Sequence, residues 1–315
     1  MAAVLAVYAA VAVGWLLGYK RFFDENFPAL GTRLVVTVLY PCLMLFFVLN
    51  NQALREPENL LLPPLLGFAL MAFGLWLARF VAKWRKLGDD TQQRTFAFIT
   101  SINNYGYIPI PLCAVLFDKE TAGVLLVFTM GMEAGLWIFG PLVLSGRKFS
   151  PSNLKGMVNP VLIALFAGLI LNLCHALEYA PGLLAETVRG FVKLLGNAAI
   201  PLALILIGTT LHEVIRQMGF KRDYAVIGWG CLLRLGIIPA IMILIAALAP
   251  IPVELQRVLI VEAAMPCGIF PILMSAHYGG KPMTAIQLAV STSLLALVTT
   301  PLWLVLGMKL ILPQA

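Results

Sequence analysis

Two carboxylates in this chain stand where carboxylates are costly. Glu262 lies in the apolar run 258–265, four residues before Pro266. Glu133 lies in the middle of Met130-Gly131-Met132-Glu133-Ala134-Gly135. A charged side chain at the centre of a bilayer costs about 2.5–3.5 kcal/mol on insertion scales, so each acid needs a partner or a task. An isolated carboxylate at that depth calls for a proton, a sodium ion or a fixed partner, which makes both residues candidates for binding a coupling ion. The structural alternative is a pair with Arg234 or with an amide. Arg234 itself is expected to snorkel toward the cytoplasmic face, with the embedded part of its span beginning near Trp229.

The second chemical feature is a stretch of helix breakers inside an apolar span. Ser101-Ile102-Asn103-Asn104-Tyr105-Gly106-Tyr107-Ile108-Pro109-Ile110-Pro111 separates the runs 96–100 and 112–117, which together have the length of one membrane crossing. Proline removes a backbone donor and clashes with the preceding turn, and glycine favours non-helical angles. Unpaired backbone is not tolerated in lipid, so such a break must face protein or a water-filled cavity. A second break follows at Met265-Pro266-Cys267-Gly268 and Pro271. The half-helices ending near Asn104 and Met265 would expose carbonyls to a cation. Those starting near Pro109 and Phe270 would expose N–H groups to an anion. Asn103 and Asn104 add amide donors and acceptors. An anion would therefore be met at Asn103, Asn104, Tyr105, Gly106 and Pro109 from one break, and at Pro266, Cys267 and Gly268 from the other. The rival reading is a pair of kinks sealed by neighbouring helices.

The elements that must position these residues follow from composition. The 315 residues are 61% hydrophobic and 12% charged, with a mean hydropathy of +0.92. A soluble surface cannot be built from so few charges, so the chain reads as an all-α membrane protein. Ten spans can be drawn, over 3–18, 34–49, 61–81, 95–117, 122–144, 160–177, 188–211, 224–248, 255–278 and 284–306. The fourth and ninth carry the breaks, and Pro41 interrupts the second. The net charge of +7 does not point to nucleic acid, because the basic residues are scattered through short loops. Fifteen of them fall in loops after odd-numbered spans and six on the opposite side, which places the odd loops in the cytoplasm and both termini outside. Cys42, Cys113, Cys174, Cys231 and Cys267 lack metal-ligand spacing and read as free thiols. Trp15, Trp84 and Trp303 fit interfacial belts, and Asn159-Pro160 fits a helix cap.

The two halves repeat. Pro41 and Pro201 are 160 residues apart, as are Pro141 and Pro301; Gly106 and Gly268 are 162 apart, as are Pro109 and Pro271. Five spans per half turn the second half upside down in the membrane. That is the inverted-repeat plan of secondary transporters, whose sites lie where discontinuous helices meet near the midplane. The organisation is a first five-helix repeat over 1–148, a cytoplasmic joint over 149–157 and a second repeat over 158–315.

Several stretches resemble the auxin efflux carrier family of transporters. They are Val158-Asn159-Pro160 with Ala167-Gly168-Leu169, the run Leu195-Gly196-Asn197-Ala198-Ala199-Ile200-Pro201-Leu202-Ala203-Leu204 with Gly208, Ala264-Met265-Pro266, and Ser291-Thr292 with Thr300-Pro301-Leu302-Trp303. The resemblance covers nearly the whole chain and is densest in the second half; the short joint resembles the compact bacterial permeases for malate and malonate. It implies the fold of the bile acid sodium symporters, with ten helices in two inverted five-helix repeats, helices four and nine crossed, and a core domain moving against a scaffold. It also implies a coupling-ion site at Glu262, Asn103, Met265 and Glu133. A carboxylate at 133 departs from the usual hydroxyl pattern, so the ion is sodium or a proton. The expected function is a secondary active transporter of a small organic anion, a mono- or dicarboxylate, in the cytoplasmic membrane. No cofactor is expected beyond the coupling ion, and no metal beyond that sodium. The expected partners are the anion, the bilayer and a second copy in a homodimer. An uncoupled channel or facilitator is the alternative. An intramembrane enzyme finds no His–Ser or paired-Asp motif.

Overall fold

The computed structural model describes residues 2–24, 26–106, 108–146, 158–217 and 222–312. The joint expected over 149–157 lies outside the described residues. The described residues are mostly helical and form no sheet. In order, the helices are α1 (Ala2–Tyr19), α2 (Phe27–Val48), α3 (Pro57–Trp84), α4 (Asp90–Ser101), α5 (Pro109–Leu116), α6 (Lys119–Ser145), α7 (Pro160–Leu173), α8 (Gly182–Gln217), α9 (Tyr224–Leu248), α10 (Val253–Ala263), α11 (Phe270–His277) and α12 (Pro282–Ile311). Six of them, α2, α3, α6, α8, α9 and α12, are long and apolar enough to cross a membrane. Their outer faces carry large apolar side chains such as Leu61, Leu65, Trp76 and Phe80, all exposed. Such continuous apolar surface is what lipid covers. All five cysteines are free.

The prolines act more gently than their number suggests. Pro141, Pro201 and Pro301 sit inside unbroken helices. Pro41 does not interrupt its span either. The helix widens into a π-helical stretch, Val35–Leu39, just ahead of it. Pro239 in α9 follows an equivalent stretch, Leu233–Ile237. A wider turn relieves the clash between the proline ring and the carbonyl four residues back, which has in any case lost its donor. At Pro239 that carbonyl belongs to Leu235, and the Trp303 indole donates to it at 2.7 Å. Trp303 therefore joins α12 to α9, with its polar end turned inward rather than to the membrane interface.

Packing divides the helices into two groups. In the first, α8 lies along α1 and α2, and α7 packs on α2. Small residues permit the closest approach: a Cβ on Gly14 would stand 2.1 Å from the Ile205 carbonyl oxygen, and one on Gly208 would stand 2.1 Å from that of Val11. With no hydrophobic drive between helices in lipid, such backbone contact is the main source of association. In the second group α3 lies along α6 and α4, while α9, α10, α11 and α12 pack around the same centre. There Gly67 and Gly131 meet the carbonyl oxygens of Phe128 and Pro64 in the same way. The breaks belong to the second group.

Candidate functional site

The Asp89 side chain caps α4 by accepting from the Gln92 N–H at 2.8 Å, and the helix then runs inward with every side chain from Thr95 to Ser101 buried. It stops at Ile102, whose backbone is extended (φ −103°, ψ 115°). The chain resumes as helix at Pro109, where a missing donor costs nothing because the first helical N–H groups have no internal partner. In the second half α10 stops at Ala263, and α11 resumes at Phe270 with Pro271 in its first turn.

The unwound pieces satisfy one another. Asn103 and Cys267 form an antiparallel bridge. The Asn104 N–H donates to the Pro266 carbonyl at 2.8 Å, and the Gly268 N–H donates to the Ile102 carbonyl at 3.0 Å. Backbone that a helix break would leave unpaired is thus paired across 160 residues of sequence. Side chains complete the joint. The Asn103 amide donates to the Glu262 carbonyl oxygen at 3.2 Å and to its carboxylate Oε2. The Cys267 N–H donates to Thr292 Oγ1 at 3.2 Å, and Thr300 Oγ1 donates to the Ala264 carbonyl at 2.8 Å. Helix α12 therefore braces the second break with two hydroxyls. Thr292 also donates to the Leu288 carbonyl of its own helix at 2.7 Å.

Beside the joint lies a cavity of about 320 Å³. One wall comes from α2 and α7, the other from the unwound segments, α5, α6 and the start of α11. It thus sits between the two helix groups. Asn103, Asn104, Tyr105, Gly106, Gly268 and Glu133 line it. Pro109, Pro266, Cys267 and Met265, expected at the same site, do not. All four are buried behind the lining, where they shape the joint. Gly106 adopts no left-handed angle, and a Cβ there would meet nothing within 4 Å. Its small size leaves the cavity wall open, and its conformational freedom is not needed. The cap expected at Asn159 is present, with its side chain accepting from the Leu162 N–H at 3.0 Å, and the same residue lines the cavity.

The two carboxylates differ in their access to the cavity: Glu133 lines it and Glu262 does not. Glu133 faces the cavity, where its Oε1 accepts from the Tyr105 hydroxyl at 2.9 Å and its Oε2 from the Trp137 indole at 3.0 Å. Glu262 is fully buried behind the Asn103 arm, and its Oε1 has no hydrogen-bond partner among the described residues. Its charged neighbour is Arg234. That arginine does not snorkel; it is 2% exposed, in the π-helical stretch of α9, with Nε and Nη2 unpartnered among the described residues. The expectation failed because it treated α9 as a lipid-facing helix. The helix instead packs on α10 and α12, which turns position 234 toward Glu262 and Cys267. Phe270, expected as the start of a half-helix, lines the cavity, and so do Trp137 and Tyr40, which were not singled out from sequence. The one available signal was Trp137 at i+4 from Glu133, a spacing that puts the two on one helix face.

A family model described as "Membrane transport protein" matches the chain over residues 1–148 and again over 147–304. Comparison with curated proteins finds no match.

Proposed function

Since the chain belongs to the auxin efflux carrier family of membrane transport proteins, we propose that it is a secondary active transporter. Its substrate is a small organic anion, a carboxylate, moved across the cytoplasmic membrane by alternating access. One observation carries this reading: two unwound segments pair antiparallel beside a cavity that lies between two helix groups. A cavity at such a boundary opens to one side or the other when one group rocks against its partner. In this account the chain forms ten membrane spans in two inverted five-helix repeats. The pairs α4/α5 and α10/α11 are the crossed fourth and ninth spans. The proline and glycine spacings of 160 and 162 residues support the repeat, and the distribution of basic residues supports termini outside.

The substrate carboxylate lies against Asn103, Asn104 and the N-terminal ends of the half-helices α5 and α11. Pro109, Pro266 and Cys267 hold these groups in place from behind. No basic side chain lines the cavity among the described residues, which favours one carboxylate over two, because each unpaired buried charge adds its own desolvation cost. Coupling acts at Glu262 with Asn103 and Met265. Its orphan Oε1 is the atom left for a proton or a sodium ion. Glu133 acts from the cavity side.

The test is uptake into proteoliposomes. Asn104→Ala or Glu262→Gln should abolish concentrative uptake of labelled carboxylates while the protein remains folded. Undiminished uptake by either variant would remove the site from this place.

A further inference from the structure

The cavity is lined by a carboxylate, Glu133, and, among the described residues, by no Lys, Arg or His. Both Glu133 oxygens accept from neutral donors, Tyr105 and Trp137, which fix its orientation and supply no counter-charge. The buried Arg234 acts on Glu262 and Cys267 instead. Aromatic side chains gather around the acid. Tyr40, Tyr105, Trp137 and Phe270 line the same space, with the Trp137 and Phe270 rings 6.2 Å apart and inclined at 60°. A carboxylate among aromatic faces is the chemistry that recognises an ammonium group. The acid supplies the opposite charge, and the ring faces attract a cation that has shed water.

We propose that the substrate is a zwitterion, an amino acid with an apolar side chain. Glu133 and the surrounding rings hold the ammonium group. The paired segments hold the carboxylate, and the aliphatic walls from α2, α6 and α7 receive the side chain. The inference rests on the carboxylate-transport reading and adds a group of opposite sign to it. With Glu133 ionised, a plain monocarboxylate would bring a second negative charge into a space where no Lys, Arg or His is among the described lining residues, and a dicarboxylate would bring two. An amino acid arrives with its own counter-charge and leaves Glu133 paired.

The experiment is calorimetric titration of the purified full-length protein. The probes are leucine, 4-methylpentanoate (leucine without its amine), isoamylamine (leucine without its carboxylate) and malate. Leucine should bind, with both truncated analogues at least about tenfold weaker. Glu133→Gln should weaken leucine about thirtyfold and leave 4-methylpentanoate unchanged or tighter. Tyr105→Phe, which keeps the ring and removes one donor, should weaken leucine by a smaller factor. If Glu133→Gln does not fold, Tyr105→Phe decides, and unchanged leucine affinity there overturns the proposal. If 4-methylpentanoate binds as tightly as leucine, the zwitterion is refuted and the carboxylate reading stands. Binding of malate without leucine likewise refutes the zwitterion and leaves the carboxylate reading standing. Binding of isoamylamine alone overturns both readings, and failure of the wild type to bind leucine overturns the inference.

Discussion

Arg234 and Glu262 offer a perturbation whose size follows from their burial. The arginine is 2% exposed and the glutamate 0%, and each acts electrostatically on the other. Arg234→Met keeps most of the aliphatic stem and removes the charge, leaving Glu262 with the Asn103 amide and no cation among the described residues. Among the described residues no ion pair within 4.0 Å joins the two, so the loss should stay below the roughly 3–5 kcal/mol of a broken buried salt bridge. Glu262→Gln should cost a comparable amount by stranding Arg234. The double variant removes both charges together and should recover part of the loss, leaving a coupling energy of at least about 0.5 kcal/mol. The assay is denaturant unfolding of the four proteins in one detergent, followed by tryptophan fluorescence and repeated by size exclusion. Strictly additive losses in the double variant would show that the two charges do not stabilise one another, and the account of the joint's interior would be wrong.

Other consequences are more local. Gly208→Val should push α1 away from α8, since even a Cβ at 208 would stand 2.1 Å from the Val11 carbonyl oxygen; a loss of about 1–3 kcal/mol should appear in the same unfolding assay. Trp303→Phe preserves the ring but strands the Leu235 carbonyl that Pro239 leaves without a backbone donor, so a loss of about 1–3 kcal/mol is expected and a neutral result would contradict that role. Asp89, in the loop ahead of α4, is held below the usual carboxylate range, first by its hydrogen bond from Lys281 and then by the Gln92 N–H. A depressed acid stabilises the fold above its unfolded value and loses that contribution as pH falls through its folded value. Lys281→Ala should therefore lower thermal stability near neutral pH and converge with wild type in acid, as a pH series of melting curves would show.

Much of this architecture was legible because the physics of breakers is local. A proline and glycine cluster inside an apolar span has few solutions in a membrane, and the stretch around Asn103–Gly106 adopts one of them. The eighth span, 224–248, could be read to the residue because a capping Asp223 opens it and Ala249-Pro250 closes it. Other ends were missed by as much as about two turns. Helix α2 begins at Phe27, where Pro28 can start a helix, and apolarity alone pointed to 34. The larger misses were about neighbours. Whether Pro41 breaks a helix depends on whether the turn ahead of it can widen. Whether Arg234 reaches water depends on which helices cover it. Single-chain spacing carries none of that, because the deciding contacts join residues far apart in sequence.

The central claim is that the space beside the paired segments is reached from both sides of the membrane in turn. Gly106 lets that be measured, because a side chain at this lining position meets nothing within 4 Å. In a background with the five native cysteines replaced, Gly106→Cys in sealed vesicles would be treated with a membrane-impermeant maleimide from one face and then from the other. The account predicts labelling from either face and protection by bound carboxylate substrate. Labelling from a single face, unaffected by any ligand, would contradict it.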